Sequence, residues 1–464
     1  MMRPKLSWSD LRGTRAGVWG LGREGMANLR KLESLGAEIV LVDDALATAD
    51  VGGIQVLATK AGGIEALERC DVVVKGPGIS RYRPEIARLE QLGIPVAGGL
   101  GLWLQEAPAE RVVCITGTKG KSTVVSIAGH LLAGLGYRCM VGGNIGSPPF
   151  DPEVGAGEWD YWVIEVSSYQ AMDLASSPPV VGVTSLNQDH LPWHGGVENY
   201  YRDKLSACSQ PGADLTVANG DSDLIRERSG LLGPRVEWVR AADEPGATWM
   251  EPLGLLGGHN RRNALIVRRC LIALGVPEAA DDAAMREAAH GYQPLGSRLQ
   301  IIGEVGGVTF VDDSLSTNVL PTVAALEAFG ERRVALIVGG QDRGIDYAPL
   351  GSALRQRAAP TYVLTLPANG PRIKAEIEAA PGRPGDTALA AVLECPDLDV
   401  AVAAGFRWAQ PDGVVLLSPA APSFGQFRDY RDRGEAFARA MRDISERTVV
   451  RGHRTGFPRP RAGR

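Results

Sequence analysis

Apolar, β-branched runs recur along the chain, each followed by a glycine-rich or polar stretch and then by residues with helical spacing. AGVWGLG, AEIVLVDD and DVVVKGPGI fall in a first block, to about residue 108. VVCIT, YWVIEVSS and VVGVTSLN fall in a second, about 109–297, and GVTFVDDS, RVALIVGG, PTYVLTL and GVVLLSPA in a third, from about 298. Runs that are apolar throughout belong to strands buried on both faces. Their exchange with helical segments predicts an α/β fold of parallel sheets covered by helices on either side. Ligands of such sheets bind outside the carboxyl ends of the strands, so the residues just after each run are the ones that carry chemistry.

The strongest of these positions is VVCITGTKGKST, residues 112–123, ahead of a helical stretch from Val124 to Leu135. Strand, loop and helix in that order form a phosphate-binding loop, because loop N–H groups and the helix N-terminus converge on one anion. Gly117 and Gly120 let the backbone wrap the phosphates, Lys121 reaches the β/γ oxygens, and Ser122 or Thr123 holds Mg²⁺. The spacing departs from the common loop, with Thr118 and Lys119 alone between the glycines where four residues are usual. ATP is the ligand this pattern points to.

Other candidates follow the same rule. After AGVWG, Gly20, Gly22 and Gly25 form GLGREG, with Asp43 and Asp44 closing the next strand. The glycines suit a pyrophosphate and the acid a ribose hydroxyl, which fits either NAD or a sugar nucleotide. An NAD-dependent oxidoreductase is the alternative reading, and it lacks a hydride-transfer constellation. Glu165 lies inside an apolar strand, where a carboxylate is costly unless a cation or hydrogen bonds meet it, so it is a candidate Mg²⁺ ligand. The segment NQDHLPWHGGVENYYRDKL supplies Asp189, His190, His194 and Lys204. Asn260 and Asn263 open a helix expected over Ala264–Leu274, where two amides three apart suit a purine edge or an ordinary cap. In the third block Asp312, Asp313, Ser314, Thr317, Asn318, Arg343, Ser418 and Ser423 gather at strand ends and suit a small carboxylate substrate.

Composition narrows the class without adding chemistry. At 464 residues the chain exceeds one core, which sets about three domains as the prior. Apolar residues at 44%, charged residues at 22% and a net charge of −5 describe a globular protein with no nucleic-acid partner. No apolar run approaches the roughly 18–20 residues that span a bilayer, and MMRPKLSWSDLRGTR lacks the apolar centre of a signal peptide. No membrane association and a cytoplasmic location are the expectation. The six cysteines have no paired spacing, so reduced, mostly buried thiols are expected, with neither disulfides nor zinc. RGHRTGFPRPRAGR, 451–464, reads as a basic, disordered tail.

Taken together, GTKGKST, GGNIG (Gly142 to Gly146), EVSSYQ, the DHL segment with its later lysine, and GGHNRRN resemble, in order, the signatures of the Mur ligase family. LLSPAAPSFGQFRDYRDRGEAF is similar to the C-terminal motif of the branch that adds glutamate to UDP-N-acetylmuramoyl-L-alanine. The resemblance implies a monomeric, ATP- and Mg²⁺-dependent amino-acid ligase of peptidoglycan precursor synthesis with three domains. These are a Rossmann-like UDP-binding domain over 1–108, a central P-loop ATPase-type sheet over 109–297, and a Rossmann-like domain over 298–450 that brings the amino acid. It implies ATP contacts at Gly117, Thr118, Lys119, Gly120, Lys121, Ser122, Thr123, Asn260, Asn263, Arg298 and Asp313. Gly20, Gly22, Asp43, Gly78, Asn144, Ser167 and Gln170 match the UDP-substrate set, and Thr317, Arg343, Ser423 and Tyr430 the glutamate pocket. Ser122, Glu165, His190 and Lys204 match the metal set, the lysine being the one this family carbamoylates; Lys121, Lys204 and His190 are the implied catalytic groups.

Three departures bear on substrate. The family's DSKATN is DSLSTN here, so Leu315 replaces a lysine; the usual His-Arg ahead of the third domain is Ser297-Arg298; and DHLDRH has become DHLPWH, bringing in Pro192 and Trp193. Loss of a cation beside a dicarboxylate removes a charge-assisted contact worth roughly 1.5–3 kcal/mol. A glutamate pocket of different construction follows, and with it L-glutamate as the favoured isomer and D-glutamate as the alternative.

Overall fold

The computed structural model describes residues 3–45, 50–154, 157–381 and 388–454. Every apolar run named above becomes a strand, and the strands form three six-stranded sheets. The first contains β1 (Arg15–Trp19), β2 (Glu38–Asp43), β3 (Asp50–Val51), β4 (Ile54–Ala58), β5 (Val72–Lys75) and β6 (Val96–Gly98) in the order β3-β4-β2-β1-β5-β6. The second contains β7 (Val112–Thr116), β8 (Cys139–Gly143), β9 (Tyr161–Glu165), β10 (Val180–Val183), β11 (Leu215–Asn219) and β12 (Arg235–Val239) in the order β12-β11-β10-β7-β9-β8. The third contains β13 (Gln300–Val305), β14 (Val308–Asp312), β15 (Val334–Val338), β16 (Thr361–Thr365), β17 (Leu389–Glu394) and β18 (Val414–Leu417) in the order β13-β14-β18-β15-β16-β17.

Pairing is parallel except at two edges. β3 runs antiparallel to β4, and β13 antiparallel to β14. The all-parallel expectation fails there for a local reason: both hairpins close through two glycines with positive φ, Gly52-Gly53 (61° and 82°) and Gly306-Gly307 (56° and 83°). Two consecutive left-handed residues make the tight turn whose twist matches a β-hairpin. The centres of the sheets behave as expected, since β5, β7, β10, β14, β15 and β18 are buried at every residue.

The chain divides into two compact units. One comprises residues through Gly254 together with Asn260–Tyr292 and carries the first two sheets; the other comprises Leu255–His259 and the residues from Gln293 onward and carries the third. In the first sheet the strand order reverses between β1 and β5, the switch point at which a doubly wound sheet opens a crevice. In the second, β7 lies centrally between β10 and β9, so the loop after it is flanked by polar strand ends on both sides.

Two helices begin earlier than their sequence pattern suggested. The helix after β7 runs Lys121–Gly134, not from Val124, because left-handed Gly120 ends the loop and frees Lys121, Ser122 and Thr123 to form the first turn. The asparagine helix runs Gly258–Ala273, which places Asn260 and Asn263 inside it. The last helix, Tyr430–Arg454, takes in the first four residues of the expected tail, and 455–464 lie outside the described residues. All six cysteines are free thiols, five of them buried. Among the described residues no helix is long and apolar enough to cross a membrane.

Candidate functional site

Gly117 and Gly120, at φ 138° and 90°, turn the chain sharply between β7 and its helix. A Cβ on Gly117 would lie 2.2 Å from Thr184 Oγ1, so the close approach admits glycine alone. The loop is pinned to the end of β10. Thr118 N donates to Ser185 O (2.8 Å), Lys119 N to Ser185 Oγ (2.8 Å), and Thr184 Oγ1 to Lys119 O (2.6 Å). Thr118 Oγ1 lies 2.9 Å from the Tyr200 hydroxyl and donates to Asn187 O (3.0 Å). Lys121 Nζ donates to Gly117 O (3.0 Å) and Thr118 O (3.3 Å), which places it over the loop. With the Thr118 and Lys119 amides spent on Ser185, the anion-attracting part of this loop is the start of the 14-residue helix, with the Lys121 cation beside it.

Around this loop stand the residues expected to bind metal. Glu165, the last residue of β9, is 2% exposed; its Oε1 accepts from Asn144 Nδ2 (2.6 Å), and its Oε2 is buried without a hydrogen-bond partner. A buried carboxylate oxygen without a donor is costly unless a cation meets it. Lys204 is 3% exposed and donates from Nζ to Gly117 O (3.0 Å), the same carbonyl that Lys121 uses. Burial first, and then the neighbouring Lys121 charge, hold its pKa well below the ordinary lysine value, which favours the neutral amine. His190 caps the helix Leu191–His194 in a left-handed conformation (φ 52°), beside Asp189, and burial holds its pKa below the ordinary value. His194 is engaged otherwise: Nδ1 meets Asp203 Oδ2 (2.7 Å) and Nε2 meets Ser168 Oγ (3.0 Å), so it is a core group. Among the described residues no three His, Cys, Asp or Glu side chains form a metal cage.

Of the sugar-nucleotide candidates, Gly20 and Gly78 follow the switch-point strands β1 and β5 and Asp43 ends β2, whereas Asn144, Ser167 and Gln170 follow β8 and β9 of the second sheet. Gly20 (φ 91°) turns the chain after β1, and Gly25 lets the following helix approach, since a Cβ there would sit 1.9 Å from Gly20 O. Asp43, expected to take a ribose hydroxyl, accepts from Leu21 N (2.7 Å) and Ala45 N (2.7 Å) and so fixes the glycine loop. Ser167 and Gln170 form a capping box on the helix Ser168–Ala171, and Gln170 Nε2 donates to Glu24 Oε2 (2.8 Å) in the first turn of the glycine-loop helix. Arg23, one residue earlier, donates to Asn144 O (2.6 Å). Asn144 therefore joins that helix to Glu165. Gly78 lies after β5, its carbonyl accepting from the Trp193 indole (3.0 Å).

Asn263 packs on the phosphate loop: its Oδ1 lies 3.3 Å from where a Cβ on Gly120 would be, and its Nδ2 donates to Asn260 Oδ1 (3.3 Å).

In the second unit, β14, β18 and β15 are parallel neighbours, so Thr317, Ser423 and Arg343 follow the carboxyl ends of adjacent strands. Ser423 is buried and Arg343 exposed, and Tyr430 begins the last helix. Asp313 is saturated by Leu299 N (3.0 Å), Ser316 Oγ (2.5 Å) and Ser418 Oγ (2.7 Å). Arg298 lies between two left-handed non-glycine residues, Ser297 (φ 58°) and Leu299 (φ 50°), a strained arrangement of the kind that functional segments retain. Leu315, half-buried, donates its N–H to Ser297 O (3.1 Å).

Residues that the sequence reading passed over complete the site. Thr184, Ser185 and Asn187 hold the phosphate loop, and the signal was present in VVGVTSLN, where polar residues follow an apolar run. Buried Arg433 carried no such signal, because three of its four hydrogen bonds go to backbone carbonyls that no sequence pattern marks, the fourth to Ser314 Oγ.

The family description "Mur ligase middle domain" matches residues 115–251, and "Mur ligase, glutamate ligase domain" matches 297–421. A Salinispora tropica protein named UDP-N-acetylmuramoyl-L-alanine--L-glutamate ligase is 39% identical over 463 residues, covering 94% of this chain and 99% of that protein. One of the same name from Xanthomonas euvesicatoria pv. vesicatoria is 38% identical over 463 residues, covering 93% and 95%. Among solved structures, MurF from Acinetobacter baumannii shares the fold at a TM-score of 0.57 and 16% identity, covering 93% of this chain and 90% of that one. MurF ligase from Thermotoga maritima in complex with ADP does so at 0.53 and 15%, covering 94% and 99%. With relatives this similar along nearly its whole length and a phosphate loop built as described, the chain belongs to the Mur ligase family of ATP-dependent, amide-bond-forming enzymes.

Proposed function

We propose that this protein joins L-glutamate to UDP-N-acetylmuramoyl-L-alanine at the expense of ATP, in peptidoglycan precursor synthesis, as a monomer in the cytoplasm. The observation that carries the reading is the near end-to-end identity of 38–39% to relatives named for that reaction. In this reading residues 1–108 take the sugar nucleotide, 109–297 the ATP and 298–450 the glutamate.

A carboxylate is a poor acylating agent until one oxygen becomes a phosphate leaving group. The acceptor's carboxylate oxygen attacks the γ-phosphorus of ATP, ADP departs, and an acyl phosphate forms. Glutamate's amine then attacks the acyl carbon, phosphate leaves, and the nitrogen loses its proton to give the amide. Such transfer is catalysed chiefly by positioning and by charge set where charge develops. Gly117, Thr118, Lys119 and Gly120 supply the loop, Lys121 its cation, and Asn260 and Asn263 the amides for the base. Ser122, Glu165, His190 and Lys204 as its carbamate would hold Mg²⁺, which when bound neutralises phosphate charge. The fit rests on the partnerless Glu165 Oε2, and a Mg²⁺ site completed by phosphates and water needs no cage of protein ligands. A neutral, buried Lys204 amine is the form that reacts with CO₂ to make the carbamate. Thr317, Arg343, Ser423 and Tyr430 are assigned to glutamate, with Arg343 the cation that remains where the family's DSKATN lysine has become Leu315.

The test offers purified protein ATP, Mg²⁺ and the sugar-nucleotide acceptor with L- or D-glutamate in separate reactions, product being followed by mass. Amide product with L-glutamate is expected; product with the D-isomer alone would overturn the assignment.

A further inference from the structure

Trp193 stands where the family's DHLDRH motif has a polar residue, and none of the steps above uses it. Its half-buried ring packs against Tyr169 (centroids 4.3 Å) and His194 (4.5 Å), with Lys75 Nζ 6.0 Å from its centre. Tyr169 in turn packs against the His190 ring (5.1 Å). The indole Nε1–H donates to Gly78 O (3.0 Å), and Ser80 Oγ donates to the Trp193 carbonyl (2.8 Å). One turn further, the Tyr82 hydroxyl donates to Asp203 (3.0 Å), next in sequence to Lys204. Hydrogen bonds from Ser80, Tyr82 and the Trp193 indole thus tie the loop after β5 to the helices that present His190 and Lys204.

That loop also faces the glycine turn after β1. A Cβ on Gly76 would sit 2.9 Å from Gly20 O, and one on Gly20 would sit 3.0 Å from Ile79. Gly76 N donates to Trp19 O (2.8 Å). Gly20 and Gly78 are therefore parts of one packed assembly; from the central sheet Asp173 pairs with Arg81 and Lys75, Asp203 accepts from Tyr82, and the Trp193 indole is the group that contacts Gly78 itself.

We propose that Trp193 is a positioning residue that sets the sugar-nucleotide loop against the groups expected to handle phosphate and metal, so that acceptor binding depends on it while nucleotide and glutamate binding do not. This rests on the reading given under Proposed function. The indole N–H is a single directional contact to a loop carbonyl, and losing it weakens the loop's hold without emptying the ring's place. Trp193→Phe keeps an aromatic ring on Tyr169 and removes the donor to Gly78.

The expected result is a KM for UDP-N-acetylmuramoyl-L-alanine raised about three- to tenfold, with KM for ATP and for glutamate within about twofold of the wild type. Titration of the acceptor in the absence of ATP should show the same fold loss of affinity, and thermal unfolding should match the wild type. Unchanged acceptor affinity in Trp193→Phe, beside a wild type that binds the acceptor, would overturn this proposal alone. Equal rises in all three KM values would overturn it too, since they mark general loosening. A wild type that fails to bind the acceptor would remove the functional reading together with it.

Discussion

Asp313 shows what a carboxylate does when its surroundings answer it with hydroxyls instead of cations. Burial pushes its pKa up to about 7, against the opposing pull of hydrogen bonds from Ser316, Ser418 and the Leu299 amide, and nearby Asp312 adds to the rise. In the unfolded chain the same group ionises near 3.8. The folded state therefore favours the proton: the linked stabilisation is complete below pH 3.8 and is lost as pH rises through about 7. Asp313→Asn removes that dependence, so the fall in thermal midpoint between pH 5.5 and 8.5, measured without ligands, should be smaller in the variant. Identical slopes in both proteins would refute the assignment. Residues such as Asp313, Asp43 and Gln170 also mark how far residue-level reading reaches. Their residue types could be read from the sequence, but the internal partners that occupy them could not: a carboxylate suits a ribose and a loop N–H equally well, and an amide suits a substrate and a neighbouring carboxylate.

Among elements, the phosphate loop and the central strands were the most legible, since both rest on short, local patterns. The antiparallel edges do not stand out as apolar runs, although VGGI and VGGV carry the hairpin signal, because edge strands such as β13 are only partly buried. The last helix holds the third sheet's loops by one side chain. Arg433, fully buried, donates to Ser314 Oγ (2.9 Å), Ser314 O (2.7 Å), Gly339 O (3.3 Å) and Ala421 O (3.0 Å), binding the segments after β14, β15 and β18 together. Burial lowers its pKa to about 10, so it stays charged at neutral pH. Arg433→Met leaves those carbonyls without donors and should lower unfolding free energy by roughly 2–4 kcal/mol in urea titration. KM for glutamate should rise more than KM for ATP, since Thr317, Arg343 and Ser423 lie on the segments it braces. Retained stability would show that the carbonyls find other partners.

At the scale of the molecule, the α/β class and the grouping of motifs by sheet were legible, because each motif follows its own strand. The packing of the first two sheets on each other was not legible, because it rests on contacts such as Glu24–Gln170 and Trp193–Gly78 between residues more than a hundred positions apart. The candidates for the three substrates are distributed over three sheets, and that distribution has a kinetic consequence. Phosphate should be released at an appreciable rate only when ATP, UDP-N-acetylmuramoyl-L-alanine and glutamate are all present, as read by a phosphate assay with each omitted in turn. Comparable release from ATP alone would contradict the scheme. The carbonyl of Gly117 adds a further condition, since two lysines lean on one oxygen. Drawing Lys121 toward an arriving anion leaves that oxygen to Lys204, and converting Lys204 to an acid leaves it to Lys121. On the proposed function, loading the loop would be an exchange of partners, in which the fate of each lysine is set partly by the other.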